Sequence, residues 1–108
     1  MSEVLLLLST FPSPEKAAEV ARTLVDERLA ACVNLVPAVR SIYRWPAEGD
    51  AVSDDTETLA IIKTTVARRD ALAARLVALH PYEVPELLDL PTTGGHAPYL
   101  AWVAAAVG

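Results

Sequence analysis

The chain has 108 residues, enough for one hydrophobic core and too few for two, so a single domain over residues 1–108 is expected. Its net charge is −5, and the basic residues are scattered rather than blocked, which excludes an electrostatic track for nucleic acid. One Cys rules out an intramolecular disulfide and fits a reducing compartment. The apolar run after Met1-Ser2-Glu3 is too short, and lacks the basic start, for a secretory signal. No run approaches the ~20 residues of a membrane span, so a cytoplasmic protein without a membrane partner is expected.

Val4 to Leu8 is a continuous apolar run, the pattern of a strand buried on both faces, and it stops at Ser9-Thr10-Phe11-Pro12. Ser13-Pro14-Glu15 supplies an N-cap, a Pro for the first helical position and an acid for the first turn. From there Ala17, Val20, Ala21, Leu24, Val25 and Leu29 recur at three- and four-residue steps, which predicts an amphipathic helix. Cys32 to Trp45 is rich in β-branched and aromatic residues and reads as extended, with Pro37 marking an edge or a bulge. Pro46 to Asp50 suits a hairpin turn, and Glu57 to Thr65, containing Leu59-Ala60-Ile61-Ile62, reads as the returning strand. Helical spacing resumes from Val66 to Leu79, closed by Pro81. Val84 to Leu90 makes a short last strand, and Pro98 opens a final helix.

The order β-α-β-β-α-β with a terminal helix defines a split-βαβ, ferredoxin-like α/β sandwich of the α+β kind. Right-handed crossovers place both main helices on one sheet face and leave the other open to a partner. Fourteen extended residues from Cys32 to Trp45 span roughly 45 Å, against a diameter of roughly 33 Å for a compact domain of this size. The long hairpin must therefore bend or protrude. It carries Ile42, Tyr43 and Trp45, and a second copy of the chain is the economical cover. The hydrophobic share of 53% points the same way, although much of it is Ala, which costs little when exposed.

No nucleophile elbow, phosphate-binding Gly-rich loop, C-x-x-C or H-E-x-x-H is present, and no nucleophile–base pair is visible, so an enzyme is not expected. Cys32, where helix hands over to strand, is read either as an inert packed thiol or as a soft-metal ligand. His80-Pro81-Tyr82-Glu83-Val84-Pro85-Glu86 joins an imidazole, a phenol and two carboxylates between two φ-fixing prolines. His80 with Glu83 and Glu86 suits Cu, Zn or Ni; the same segment also reads as a helix-ending loop. The acids Glu48, Asp50, Asp54, Asp55 and Glu57 read as a solvated hairpin tip. Lys63, on an otherwise apolar strand, pairs with a carboxylate or binds an anion.

Taken together, several segments resemble the CutA divalent-ion tolerance family. They are Ser9-Thr10-Phe11-Pro12, Leu29-Ala30-Ala31-Cys32-Val33-Asn34, Ser41-Ile42-Tyr43-Arg44-Trp45, Ile61-Ile62-Lys63-Thr64, His80 to Glu86, and Tyr99-Leu100-Ala101-Trp102. They occur in the family's order over nearly the whole chain. The resemblance implies a cytosolic homotrimer of ferredoxin-like subunits, similar in architecture to PII-type signalling proteins. It also implies a link to copper and other divalent ions, and no established reaction. In some bacterial relatives, copper ligands come from a Cys ending the first strand and paired His before Pro-Tyr; here Ser9 and Leu79-His80 stand there. The hairpin is also a few residues longer than usual. The expected metal ligands for Cu(II) or another divalent cation are thus His80, Glu83, Glu86 and Cys32. The alternatives are a PII-like regulator holding an anionic small molecule between subunits, through Lys63, Tyr43, Trp45 and Tyr82, and a structural trimer serving protein partners.

Overall fold

A computed structural model describes residues 2–108. The elements run β1 (Val4–Phe11), α1 (Pro14–Asp26), β2 (Cys32–Arg44), β3 (Val52–Thr65), α2 (Arg69–Leu79), β4 (Leu88–Pro91) and α3 (Ala97–Val107), with short 3-10 turns at Pro46–Glu48 and Val66–Arg68. The strands form one sheet in the order β2-β3-β1-β4, and every pairing is antiparallel. This is the ferredoxin-like order, in which β3 lies between the two parallel arms of the first βαβ unit.

α1 starts as its sequence dictates. Ser13 caps it, accepting the Lys16 N–H at 3.1 Å, and Pro14 takes the position where no N–H is needed. Ala17, Val20 and Leu24 are buried against the sheet together with Leu72 and Leu76 of α2. The helix ends with Arg28 in the left-handed region, φ 58°, while the Leu29 N–H reaches back to the Leu24 carbonyl.

β1 alternates more than its composition suggested. Leu5, Leu7 and Phe11 sit in the core under the helices, whereas Leu6 and Leu8 on the other face are only half-buried. That second face is not wholly open either. α3 covers its near end, packing Val103 and Val107 on Val4 and Ala31. Beyond α3 the face presents Leu6, Leu8, Leu59 and Ile61, flanked by Val36 on β2 and by Leu88 and Leu90 on β4, the last two 55% and 40% exposed.

Two strand boundaries differ from expectation. β3 begins at Val52 rather than Glu57, because Asp54, Asp55 and Thr56 are solvated on both sides and carry no apolar alternation. Arg40 fixes this stretch with paired hydrogen bonds to Asp54 across the hairpin. β4 shrinks to Leu88–Pro91: Pro81 and Pro85 cannot donate to a ladder, and residues 80–87 instead cross the end of β1. The hairpin bends at an irregularity between Val36 and Val39, with Ala38 at φ 58°, a conformation costing an L-residue roughly 1–2 kcal/mol. It also protrudes, stretching the molecule to 46 × 26 × 23 Å.

Ser9 lies on the helix side of β1 between Leu7 and Phe11, fully buried, and its hydroxyl has no hydrogen-bond partner among the described residues. Ser9→Ala is therefore expected to leave stability unchanged or raise it by up to about 1 kcal/mol, whereas Leu7→Ala should cost about 2–5 kcal/mol. Urea unfolding checks this; a Ser9→Ala loss as large as that of Leu7→Ala would refute the unpartnered hydroxyl.

Candidate functional site

The segment after α2 is held by its imidazole. His80 is 8% exposed and lies flat on Phe11, ring centroids 4.3 Å apart and 19° between planes. Its Nδ1 accepts the Tyr82 N–H at 3.0 Å, so the proton sits on Nε2, which donates to the Thr10 carbonyl at 2.9 Å. Both nitrogens are thereby spent on backbone. Burial holds the His80 pKa below its ordinary value, against the Thr10 carbonyl and Glu57, which favour the cation, while Lys16 adds to the lowering.

The turn delivers Tyr82 to the root of the hairpin. Its hydroxyl donates to Glu57 at 2.7 Å, and burial together with that bond pushes the phenol pKa up. Beside it, Tyr43 donates to Asp55, which lifts the Tyr43 phenol to about 12. Glu86 is raised by burial and by the neighbouring Glu57 carboxylate. Glu57 and Asp55 thus emerge as the groups that organise this corner. In sequence they read as a solvated tip, because nothing in their spacing shows which phenols return to them.

The expected metal set does not converge. Glu83 and Glu86 are exposed, and neither forms a hydrogen bond among the described residues. Cys32 sits opposite Lys63, which itself faces Leu6, while His80 contacts the Thr10 end of β1; four residues separate those ends, roughly 13 Å. Among the described residues no three of His, Cys, Asp and Glu gather as a metal would require. Both imidazole nitrogens are engaged by backbone in this conformation, and His80 and Cys32 stand at opposite ends of the sheet within one protomer.

The anion-cleft candidates are divided as well. Tyr43 and Tyr82 meet at the hairpin root but face carboxylates, which repel an anion. Trp45 stands at the hairpin tip, 41% exposed. Tyr43 pairs with Ser53, ten residues along β3 from Lys63, so about 33 Å separates them within one protomer. Lys63 forms no ion pair among the described residues. Two surface depressions, one lined by Ala21, Arg22, Val25 and Val33 and one by Ser2, Val4, Leu100 and Ala104, include none of the eight candidates.

The fold and its hairpin define a ferredoxin-like protein in which, among the described residues, no three metal-ligating side chains gather. Its family is clear: a model of the CutA1 divalent ion tolerance protein matches residues 5–106, and the chain belongs to that family. It is similar to the divalent-cation tolerance protein CutA of Thermus thermophilus, 48% identical over 108 residues and covering all of both chains. The chloroplastic protein CutA of Arabidopsis thaliana is 43% identical over 94 residues, 87% of this chain; those residues make up 50% of the plant protein, so this chain spans about half of it. Among solved structures, CutA from Xylella fastidiosa superimposes with a TM-score of 0.93 at 37% identity, over 99% of this chain and 100% of that one. No helix among the described residues is long and apolar enough to cross a membrane.

If His80 is an anchor rather than a ligand, His80→Ala should destabilise the fold by about 2–4 kcal/mol, through a lost buried ring and an orphaned Tyr82 N–H. Copper affinity, measured by calorimetry near pH 7, should stay at the wild-type value. A variant of wild-type stability with reduced copper affinity would restore His80 as a ligand.

Proposed function

We propose that this chain serves divalent-cation tolerance as a non-catalytic cytoplasmic homotrimer, folding as one domain, with neither nucleic acid nor membrane as partner. The observation that carries the reading is the apolar sheet face beyond α3. Leu6, Leu8, Leu59, Ile61, Leu88 and Leu90 line it. Apolar surface of this extent marks an interaction site, and its aliphatic lining favours another copy of the chain over a charged partner. Cytoplasmic placement rests on the single free Cys; the plant relative is named chloroplastic, so the family does not fix the compartment. A direct role for copper(II) or a related ion is not assigned to His80, Glu83, Glu86 and Cys32 of one protomer, whose positions do not support it.

A second reading has one observation of its own. Lys63 stands on the same apolar face opposite Cys32 without a carboxylate partner among the described residues, and covering that face would leave the ammonium needing an anion. The ligand would be an anionic small molecule held between subunits, as in a PII-like regulator, with Tyr43, Trp45 or Tyr82 contributed from another copy.

Equilibrium sedimentation at micromolar concentration should give about three times the 11.5 kDa chain mass. Ile61→Lys, which places charge at the centre of the face, should shift it to the single-chain mass. A wild type that sediments only as monomer sinks the proposal. Calorimetric titration with ATP separates the second reading, which expects binding by wild type and at least a tenfold loss in Lys63→Ala, equivalent to about 1.4 kcal/mol.

A further inference from the structure

The hairpin arm carries an exposed apolar patch of its own. Between Val36 and Val39 two residues of β2, Pro37 and Ala38, stand against Thr58 alone, so the side chains beyond the bulge change faces. Val39, Ser41 and Tyr43 continue the open face of the sheet, while Arg40, Ile42 and Arg44 turn to the helix side with Val52 and Asp54. β1 ends at Phe11, and the arm outruns it there. Ile42 and Val52, diagonal neighbours across the two strands, are 65% and 61% exposed. A base flanks Ile42 on either side, Arg40 and Arg44 lying roughly 13 Å apart along the strand. Arg40 spends only Nε and one Nη on Asp54, and Arg44 meets Asp50 no closer than 4.0 Å.

A complementary surface lies at the same end of the sheet, towards its other edge. Residues 80–87 cross the end of β1 and lead into β4, presenting Val84, 64% exposed, and Leu88. Glu83 and Glu86 bracket Val84 at no more than about 10 Å from each other, and neither forms a hydrogen bond among the described residues. An apolar centre between two acids thus matches an apolar centre between two bases, at comparable spacing. One chain does not bring the two together. Tyr82 ties the turn to Glu57 on the open face, and Ile42 points to the opposite side. We propose that the arm face of Arg40, Ile42, Arg44 and Val52 docks on the 83–88 segment of a second copy, with the two arginines set against Glu83 and Glu86. This clasp rests on the homotrimer proposed above and adds to it a contact outside the apolar sheet face. Unlike surfaces meet, so the contact is heterologous; repeated about an axis along the strands, it closes into a ring.

Crosslinking of the full chain tests the clasp. Ile42→Cys and Val84→Cys are introduced together on a Cys32→Ala background, and a short bismaleimide is added to the folded protein at micromolar concentration. Both sites are exposed, so the substitutions should leave folding intact. The doubly substituted chain should give covalent species of two and three chains on denaturing gels, while either substitution alone should leave the 11.5 kDa band. Sedimentation of the same samples before crosslinking separates the clasp from the homotrimer. A trimer that yields only the single-chain band, or no more product than the single substitutions, overturns the clasp and leaves the homotrimer standing. A protein that sediments as monomer overturns both. Charge reversal gives a second readout, by sedimentation over a dilution series at low salt. Glu83→Arg with Glu86→Arg should weaken assembly by at least about tenfold, and adding Arg44→Glu should recover roughly threefold of that loss. Assembly unchanged by the reversal, or a loss that Arg44→Glu deepens, overturns the pairing of arginine with carboxylate.

Discussion

β3 is paired along both edges, with β1 from Thr58 to Thr65 and with β2 from Val52 to Lys63, and the rest of the molecule hangs on that double pairing. The inner half of the strand, from Thr58, is bracketed by two neighbours and buries Ala60, Ile62 and Thr64 beneath the helices. The outer half outruns β1, which ends at Phe11, and so has only β2 for company. That mismatch in length produces the protruding arm and exposes a step at the end of β1. The 80–87 segment fills this step, with His80 lying on Phe11 and Tyr82 reaching Glu57 where β3 emerges.

The helices follow from the same sheet. Thr64 donates to the Leu29 carbonyl at 2.7 Å, and the Ala31 N–H bonds to the Lys63 carbonyl at 2.8 Å, so the exit of α1 is tied to β3 before β2 begins. Arg75 clasps Glu27 with two hydrogen bonds of 2.8 Å and links the two main helices. α3 then closes the near end of the opposite face, where Arg68 caps it through the Val107 carbonyl. What is left uncovered is a patch of Leu and Ile bounded by α3 on one side and by the hairpin on the other. An apolar patch of that shape accounts for a hydrophobic content beyond what one small core requires.

The corner at the hairpin root combines polar groups in a way that argues against a ready-made metal centre. A ligand needs a free lone pair and a place within reach of two or three others. His80 accepts a backbone N–H with its lone pair, and Tyr82 and Tyr43 donate hydrogen bonds to Glu57 and Asp55. The corner is satisfied internally, which makes it a joint between turn and hairpin. Membership of a divalent-ion tolerance family is compatible with this, since tolerance describes a cellular outcome and does not require a metal resident in each subunit.

How much could be read from the chain alone depended on whether the deciding forces were local. The Ser13 cap, the Pro14 start and the 3.6-residue spacing of Ala17, Val20 and Leu24 are neighbours in sequence, and α1 forms where they placed it. The element order limited the topology to the ferredoxin-like sandwich, because right-handed crossovers leave few alternatives. The start of β3 at Val52 was not legible, since Asp54 and Asp55 belong to a strand only through Ile42 and Ser41 opposite them and the Arg40 side chain that bonds Asp54. Likewise the His80–Glu86 residues spelled a plausible metal ligand set. Only tertiary structure decided that the imidazole turns inward onto Phe11 and Thr10, 69 and 70 residues away in sequence. Side-chain chemistry is written in the sequence, but where a lone pair is spent is settled by which strand ends beside it.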